Sequence, residues 1–195
     1  MLEIGTWFGL GSTQLWFELL PNGSEIVLLD KWTAYSSPAD QGDPEWNYVD
    51  MDSQTDEAFL SAYYQVKYAE SSGRDLQVSL LRGDSTRLLP LMRSNQFDLV
   101  FIDGDHKYSV VQSDITQALR LLRSPGGILV GDDLEYMPNE ELLSLARGNL
   151  DRDYVRSPHR FHPGVMVAVA ELIPDVHMEN GVWWYSTANG EDSPT

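Results

Sequence analysis

Glu3-Ile4-Gly5-Thr6-Trp7-Phe8-Gly9-Leu10-Gly11-Ser12 joins a short apolar run, Met1–Gly5, to a helical pattern over Ser12–Leu20. Glycines at this G-x-x-x-G-x-G spacing let the backbone turn sharply and bring helix N–H groups close to a ligand. The spacing is not the G-x-G-x-x-G of dinucleotide binders. Taken alone, it also suits an ordinary strand–helix turn.

The same unit then recurs along the chain. Apolar runs at Glu25–Asp30, Leu76–Leu81, Phe97–Ile102 and Ile128–Gly131 read as strands. Helical patterns follow at Ser53–Ser72, Ser85–Arg93, Tyr108–Arg123 and Asn139–Arg147, and again at Gly164–Ile173 behind Pro163. Lys31–Asp52 is polar, aromatic and Pro-containing, so it is expected to be a loop. Gly148–Arg160 reads as an irregular, charged connection. Asp175–Met178 and Val182–Tyr185 flank Glu179-Asn180-Gly181, where Asn-Gly suits a type I′ hairpin turn. Strand–helix alternation predicts an α/β fold, a mainly parallel sheet with helices on both faces. The closing hairpin adds an antiparallel strand. Right-handed crossovers bring the carboxyl ends of the parallel strands to one rim, where ligands of such sheets bind.

The chain of 195 residues, 42% hydrophobic with six Trp and nine Tyr, is large enough for one well-formed core. A single domain over residues 1–187 is expected, with a flexible tail at 188–195. Cys is absent, which excludes disulfides, zinc–thiolate sites and Cys nucleophiles. The net charge of −17, from 30 acidic and 13 basic residues, argues against nucleic acid as a partner. No apolar run reaches the roughly 18 residues of a membrane span, and no secretory leader is visible. A cytoplasmic location without membrane contact is the expectation.

Acidic residues stand at the predicted strand tips. Asp30 ends the second strand, where such folds place a carboxylate that accepts from ribose hydroxyls, though it also suits a cap or loop acid. Gly83-Asp84-Ser85 ends the third; there Asp84 or Ser85 suits an adenine amino group, and Asp84 equally suits a helix N-cap. Together with these features, Phe101-Ile102-Asp103-Gly104-Asp105-His106 and Gly126-Gly127-Ile128-Leu129-Val130-Gly131-Asp132-Asp133 make the chain resemble class I S-adenosylmethionine-dependent methyltransferases. The resemblance runs from Met1 to Tyr185. It is strongest to the metal-dependent small-molecule O-methyltransferases that tailor sugars and polyketides, with catechol O-methyltransferases more distant.

The resemblance implies a Rossmann-like seven-stranded sheet of order 3-2-1-4-5-7-6, the cofactor over strands one and two and the acceptor over strands four and five. It implies S-adenosylmethionine held by Glu3, Gly5, Thr6, Gly9, Ser12, Asp30, Asp84, Ser85 and Asp103. If strands four and five are neighbours, Asp103, Asp132 and Asp133 converge. Three such carboxylates repel one another unless a cation sits among them. Oxygen donors point to Mg²⁺, with Mn²⁺ or Ca²⁺ as substitutes; helix caps and a loop acid would explain the same residues. A bound cation would lower the pKa of an acceptor hydroxyl and fix its oxygen. His106 is then the expected general base, since an unperturbed imidazole with a pKa of about 6.5 is largely neutral at working pH. Lys107 and Asp105 are the alternatives, and His106 also suits a plain helix-start residue.

The expected activity is O-methylation of a hydroxylated small molecule, a sugar or a catechol-like ring. A non-catalytic cofactor-binding or assembly subunit and a metal-dependent hydrolase are the competing classes. His159 and His162 read as loop residues over the acceptor cleft, as acceptor contacts or as a second metal pair. Trp32, Trp46 and Tyr48 suit either a cover over the site or packing. Relatives carry N-terminal cap helices ahead of the first strand, so cover is expected from the 31–52 loop, from a homodimer partner or from an upstream segment.

Overall fold

The structure, a computed structural model, describes residues 1–33, 48–156 and 158–187. Its elements are β1 (Leu2–Ile4), α1 (Ser12–Leu19), β2 (Ser24–Asp30), α2 (Tyr48–Ser71), β3 (Leu76–Arg82), α3 (Ser85–Leu88) with a 3₁₀ turn at Leu89–Leu91, β4 (Leu99–Ile102), α4 (Tyr108–Leu121), β5 (Ile128–Gly131), α5 (Glu140–Arg147), α6 (Pro163–Leu172), β6 (His177–Glu179) and β7 (Val182–Ser186). The strands form one sheet of order β3-β2-β1-β4-β5-β7-β6, as expected. β1 to β5 are parallel to one another, and β7 is antiparallel to both β5 and β6. Asn180 and Gly181 both have positive φ, 52° and 89°, as the I′ turn requires.

The two-residue period of the strands splits the core in two. Leu2 and Ile4, with Val100, Ile102 and Leu129, pack against α4 and α6 through Ile115, Ala118, Leu121 and Val165–Val169. In the opposite phase, Ile26, Leu28 and Phe101 pack against Phe17 of α1 and Val66 and Ala69 of α2. Each fully buried side chain of this size contributes roughly 1.5–3 kcal/mol, so the paired layers hold the sheet edge that carries the site.

Register aligns the strand tips. Ile4 pairs with Leu29 on one side and Ile102 on the other, and Ile102 pairs with Gly131. Gly5, Asp30, Asp103 and Asp132 therefore leave the sheet at one rim. Asp103 N–H donates to the Ile4 carbonyl (2.8 Å) and Asp132 N–H to that of Ile102 (3.1 Å), extending the ladder by one residue.

Two local expectations are corrected. α2 starts at Tyr48, inside the stretch read as a loop to Asp52. The helix expected over Ser85–Arg93 is four residues long, and a 3₁₀ turn containing Pro90 follows. Proline supplies no N–H and crowds the preceding turn. Thr187, the last residue of the expected domain, accepts from the Gly127 amide and donates to the Arg123 carbonyl. Residues 34–47, with Trp46, and 188–195 lie outside the described residues. No helix among the described residues is long and apolar enough to cross a membrane.

Candidate active site

The glycine turn is fixed from below by Glu3, which is fully buried. Its carboxylate accepts from the hydroxyls of Thr13 (2.5 Å), Ser12 (2.7 Å) and Thr6 (3.4 Å) and from the Trp16 indole (3.0 Å). Burial pushes the Glu3 pKa up, and those four donors oppose the rise. The turn is fixed from the side by Asp30. Its Oδ2 accepts from the amides of Thr6 (2.9 Å) and Trp7 (2.8 Å), and its Oδ1 from that of Trp32 (2.6 Å). Gly5 has φ +92°, and a Cβ there would lie 1.9 Å from the Asp103 carbonyl oxygen. Only glycine lets β1 and β4 close at this point.

Above the turn lies a cavity of about 590 Å³. Its wall runs from the turn across Asp30 and Lys31, past Gly83–Thr86, to Asp103–His106 and Asp114 of α4. Asp84 caps α3 through the Thr86 amide (2.9 Å) and hydroxyl (2.6 Å), contacts that lower its pKa. Asp105 Oδ1 accepts from the Lys107 amide (2.9 Å), and its Oδ2 lies 3.7 Å from the Lys31 ammonium. Asp114 is 1% exposed, and its Oδ1 has no hydrogen-bond partner. Burial pushes its pKa up to about 7, against a hydrogen bond from Ser85.

Beside this cavity, Asp103, Asp132, Asp133 and His106 line a second one of about 10 Å³. That is room for one water or one ion. Burial, with the neighbouring Asp133 and Asp132 charges, pushes Asp103 up to about 8. Burial also raises Asp132, whose Oδ1 accepts from the Asp133 amide (2.9 Å). Asp133 sits at φ +65°, a conformation uncommon for residues other than glycine, and faces two imidazoles. Its Oδ2 is 3.0 Å from His106 Nε2, and its Oδ1 is 3.6 Å from His162 Nδ1. Burial would raise the Asp133 pKa, but His106 and His162 draw it below its ordinary value. The other nitrogen of His106 meets Asp153 at 2.7 Å. His162 receives Glu135 on Nδ1 (2.6 Å) and donates its amide to the same carboxylate (3.1 Å).

A family model for a methyltransferase domain matches residues 2–134. The chain belongs to the methyltransferase-domain family. No curated protein matches its sequence. Among solved structures, it resembles a protein from Corynebacterium glutamicum at 14% identity and TM-score 0.54, covering 98% of this chain and 73% of that one. It also resembles the O-methyltransferase TomG of Streptomyces achromogenes, involved in tomaymycin synthesis and solved with S-adenosylmethionine (20%, TM-score 0.53, 95% and 72% covered). A Bacillus cereus O-methyltransferase solved with S-adenosylhomocysteine is similar at 21% and TM-score 0.50, over 95% and 72%.

In this methyltransferase domain Gly5, Thr6, Gly9, Ser12, Asp30, Asp84, Ser85 and Asp103 all line the larger cavity. Glu3 does not. It was expected as a cofactor ligand, but β-strand alternation turns it toward α1, where its oxygens are taken by four donors. The expectation of a neutral His106 is also corrected. Burial would lower its pKa, yet hydrogen bonds and charges from Asp133 and Asp153 outweigh it and push it to about 10. With a carboxylate on each nitrogen, the imidazole is favoured as a cation while no ion engages Asp133. Among the described residues, the group whose donor atoms all lie within 4.8 Å is His106, Asp133 and His162, not the three aspartates. Trp32 is a packing residue: it is fully buried, stacks edge-on with Phe59 and donates to the Trp7 carbonyl. Sequence reasoning missed Asp153, Glu135 and Asp114. The first sits in the irregular 148–160 connection, which a Val155–Phe161 bridge folds back toward His106.

Proposed function

We propose that this protein transfers a methyl group from S-adenosylmethionine to a hydroxyl oxygen of a small molecule, a sugar or a catechol-like ring. The observation that carries the proposal is Asp103, which lines both the 590 Å³ cavity above the glycine turn and the small acidic cavity beside it. The larger volume falls in the range of roughly 300–1,000 Å³ typical of small-molecule sites. Bound there, S-adenosylmethionine supplies a methyl group on a cationic sulfur. The acidic wall of Asp30, Asp84, Asp103 and Asp105 favours a cationic ligand. TomG and the Bacillus cereus enzyme, which share the fold, hold this cofactor and its product.

The chain's own residues divide the remaining work. Asp30 holds the turn that forms the cofactor floor, and Ser85 and Asp84 stand where the adenine edge would lie. With no ion present, burial and the Asp133 and Asp132 charges push the Asp103 pKa up to about 8, so the carboxylates at the strand tips favour a cation among them. His106 has Asp153 on one nitrogen and Asp133 on the other, so it serves as the base only when an ion draws Asp133 away from Nε2. A divalent ion such as Mg²⁺ fits the donor chemistry of Asp103, Asp132 and Asp133, and would acidify the hydroxyl and hold its oxygen. The test is S-adenosylhomocysteine release from S-adenosylmethionine with a panel of catechols and nucleotide sugars. Acceptor-dependent release, lost in Asp132→Ala while cofactor binding persists, is the expected result. Cofactor binding without release on any acceptor would replace this reading with a non-catalytic subunit.

A further inference from the structure

α2 carries its small side chains inward and its large ones outward. Ala58 and Ala62 are buried against Trp32, and Val66 and Ala69 against the second core layer. Leu60, Tyr63, Tyr64 and Tyr68 of the same helix are exposed, Tyr68 by 74%. A surface helix ordinarily turns its apolar stripe to the core and its charges to solvent. α1 repeats the departure. Its Thr13 and Phe17 are buried, while Leu15 and Leu19 stand in solvent, Leu19 by 71%.

The two helices lie side by side and present one surface. Gln14 Nε2 donates to Gln65 Oε1 between them (3.1 Å). The Arg74 guanidinium, just beyond α2, donates to the carbonyls of Phe17 (2.7 Å), Glu18 and Leu20 at the end of α1. The Tyr63 and Tyr64 rings meet edge to face, their centroids 5.7 Å apart. At about 200 Å² for a free leucine and 250 Å² for a free tyrosine, the six outward side chains expose roughly 800 Å². The largest apolar patch of a typical monomer is only about 300–600 Å². Each partner of a stable complex buries about 800 Å².

Shape and charge fit a second copy of the chain. Leu60, Tyr64 and Tyr68 are spaced four residues apart and make one ridge along α2. Two such ridges interdigitate when their helices cross at about −50°. A two-fold axis at Tyr64 then sets Leu60 of each copy against Tyr68 of the other. The chain has 30 acidic residues, yet Leu60–Tyr68 contains none. The one charged residue in that stretch, Lys67, is paired with Glu70 (2.7 Å). Two molecules of net charge −17 can meet along this ridge without setting like charges against each other.

We infer that the outer faces of α1 and α2 form the two-fold interface of a homodimer, with Tyr64 at its axis and Leu60, Tyr68, Leu15 and Leu19 around it. The inference does not depend on methyl transfer.

The experiment is sedimentation equilibrium of the full chain, with circular dichroism to verify that each variant is folded. The wild type should sediment as a dimer. Tyr64→Glu brings two carboxylates together at the axis and should weaken dimerisation by more than about 100-fold, and Tyr68→Glu should act in the same direction. If Tyr64→Glu does not fold, Tyr64→Ala replaces it and should weaken dimerisation by about 10-fold or more. Leu91→Glu alters an equally exposed leucine on the 3₁₀ turn and should leave the dimer intact. A wild type that stays monomeric at every concentration would overturn the assignment. So would a dimer that survives the Tyr64 and Tyr68 variants, or one that Leu91→Glu disrupts as strongly as they do.

Discussion

Replacing Asp114 by Asn tests the electrostatics of the larger cavity. The carboxyl is 1% exposed, and its Oδ1 is unpartnered. Burial takes its pKa from 3.8 to about 7 in the folded chain. Between those values the native state holds a proton that the unfolded chain has released. Stability from this group is therefore complete below about pH 4 and falls as pH rises, until the penalty levels off above about pH 7. A displacement of that size amounts to roughly 4 kcal/mol for the ionised form. Asn cannot ionise, and its carbonyl can still accept from Ser85. Urea unfolding of both proteins, read by tryptophan fluorescence from about pH 4 to pH 8, isolates the effect. Any constant packing difference drops out of the comparison. The stability of Asp114→Asn relative to wild type should climb across that window by roughly 3–4 kcal/mol. A flat difference, or a relative loss toward pH 8, would refute the reasoning.

Other consequences follow from the turn and the acidic corner. Glu3→Ala leaves the Ser12, Thr13 and Trp16 donors without their acceptor and should destabilise the fold by roughly 3–5 kcal/mol, read as a lowered Tm. Gly5→Ala drives a Cβ into the Asp103 carbonyl at a positive φ; a loss above about 4 kcal/mol is expected in denaturant unfolding. Asp153→Asn removes one of the two carboxylates that keep His106 protonated. The His106 pKa, followed by NMR titration, should fall from about 10 by roughly 1–3 pH units.

Much of the fold is local and therefore readable in the sequence. Short apolar runs ending in Gly or Asp mark the strands, Asn139 caps α5 through its own side chain, and Asn180-Gly181 carries the only backbone geometry its turn needs. The rim was legible for the same reason, since Asp30 ends its strand and Asp103 and Asp132 sit one step beyond theirs. What escaped depends on distance along the chain. His106 meets Asp153 across 47 residues, and His162 meets Glu135 across 27, through a connection without periodicity. Nothing near His106 announces the second carboxylate that turns a candidate base into a cation. Glu3 escaped for another reason. Its position in the motif suits a ligand contact, but strand alternation points its side chain into α1.

The most direct test of the account is a crystal structure of the full chain grown with S-adenosylhomocysteine. The account expects the nucleoside in the cavity above Gly5–Gly9, its ribose against Asp30 and its adenine toward Asp84 and Ser85. An empty cavity at saturating ligand, or the ligand bound elsewhere on the chain, would contradict it.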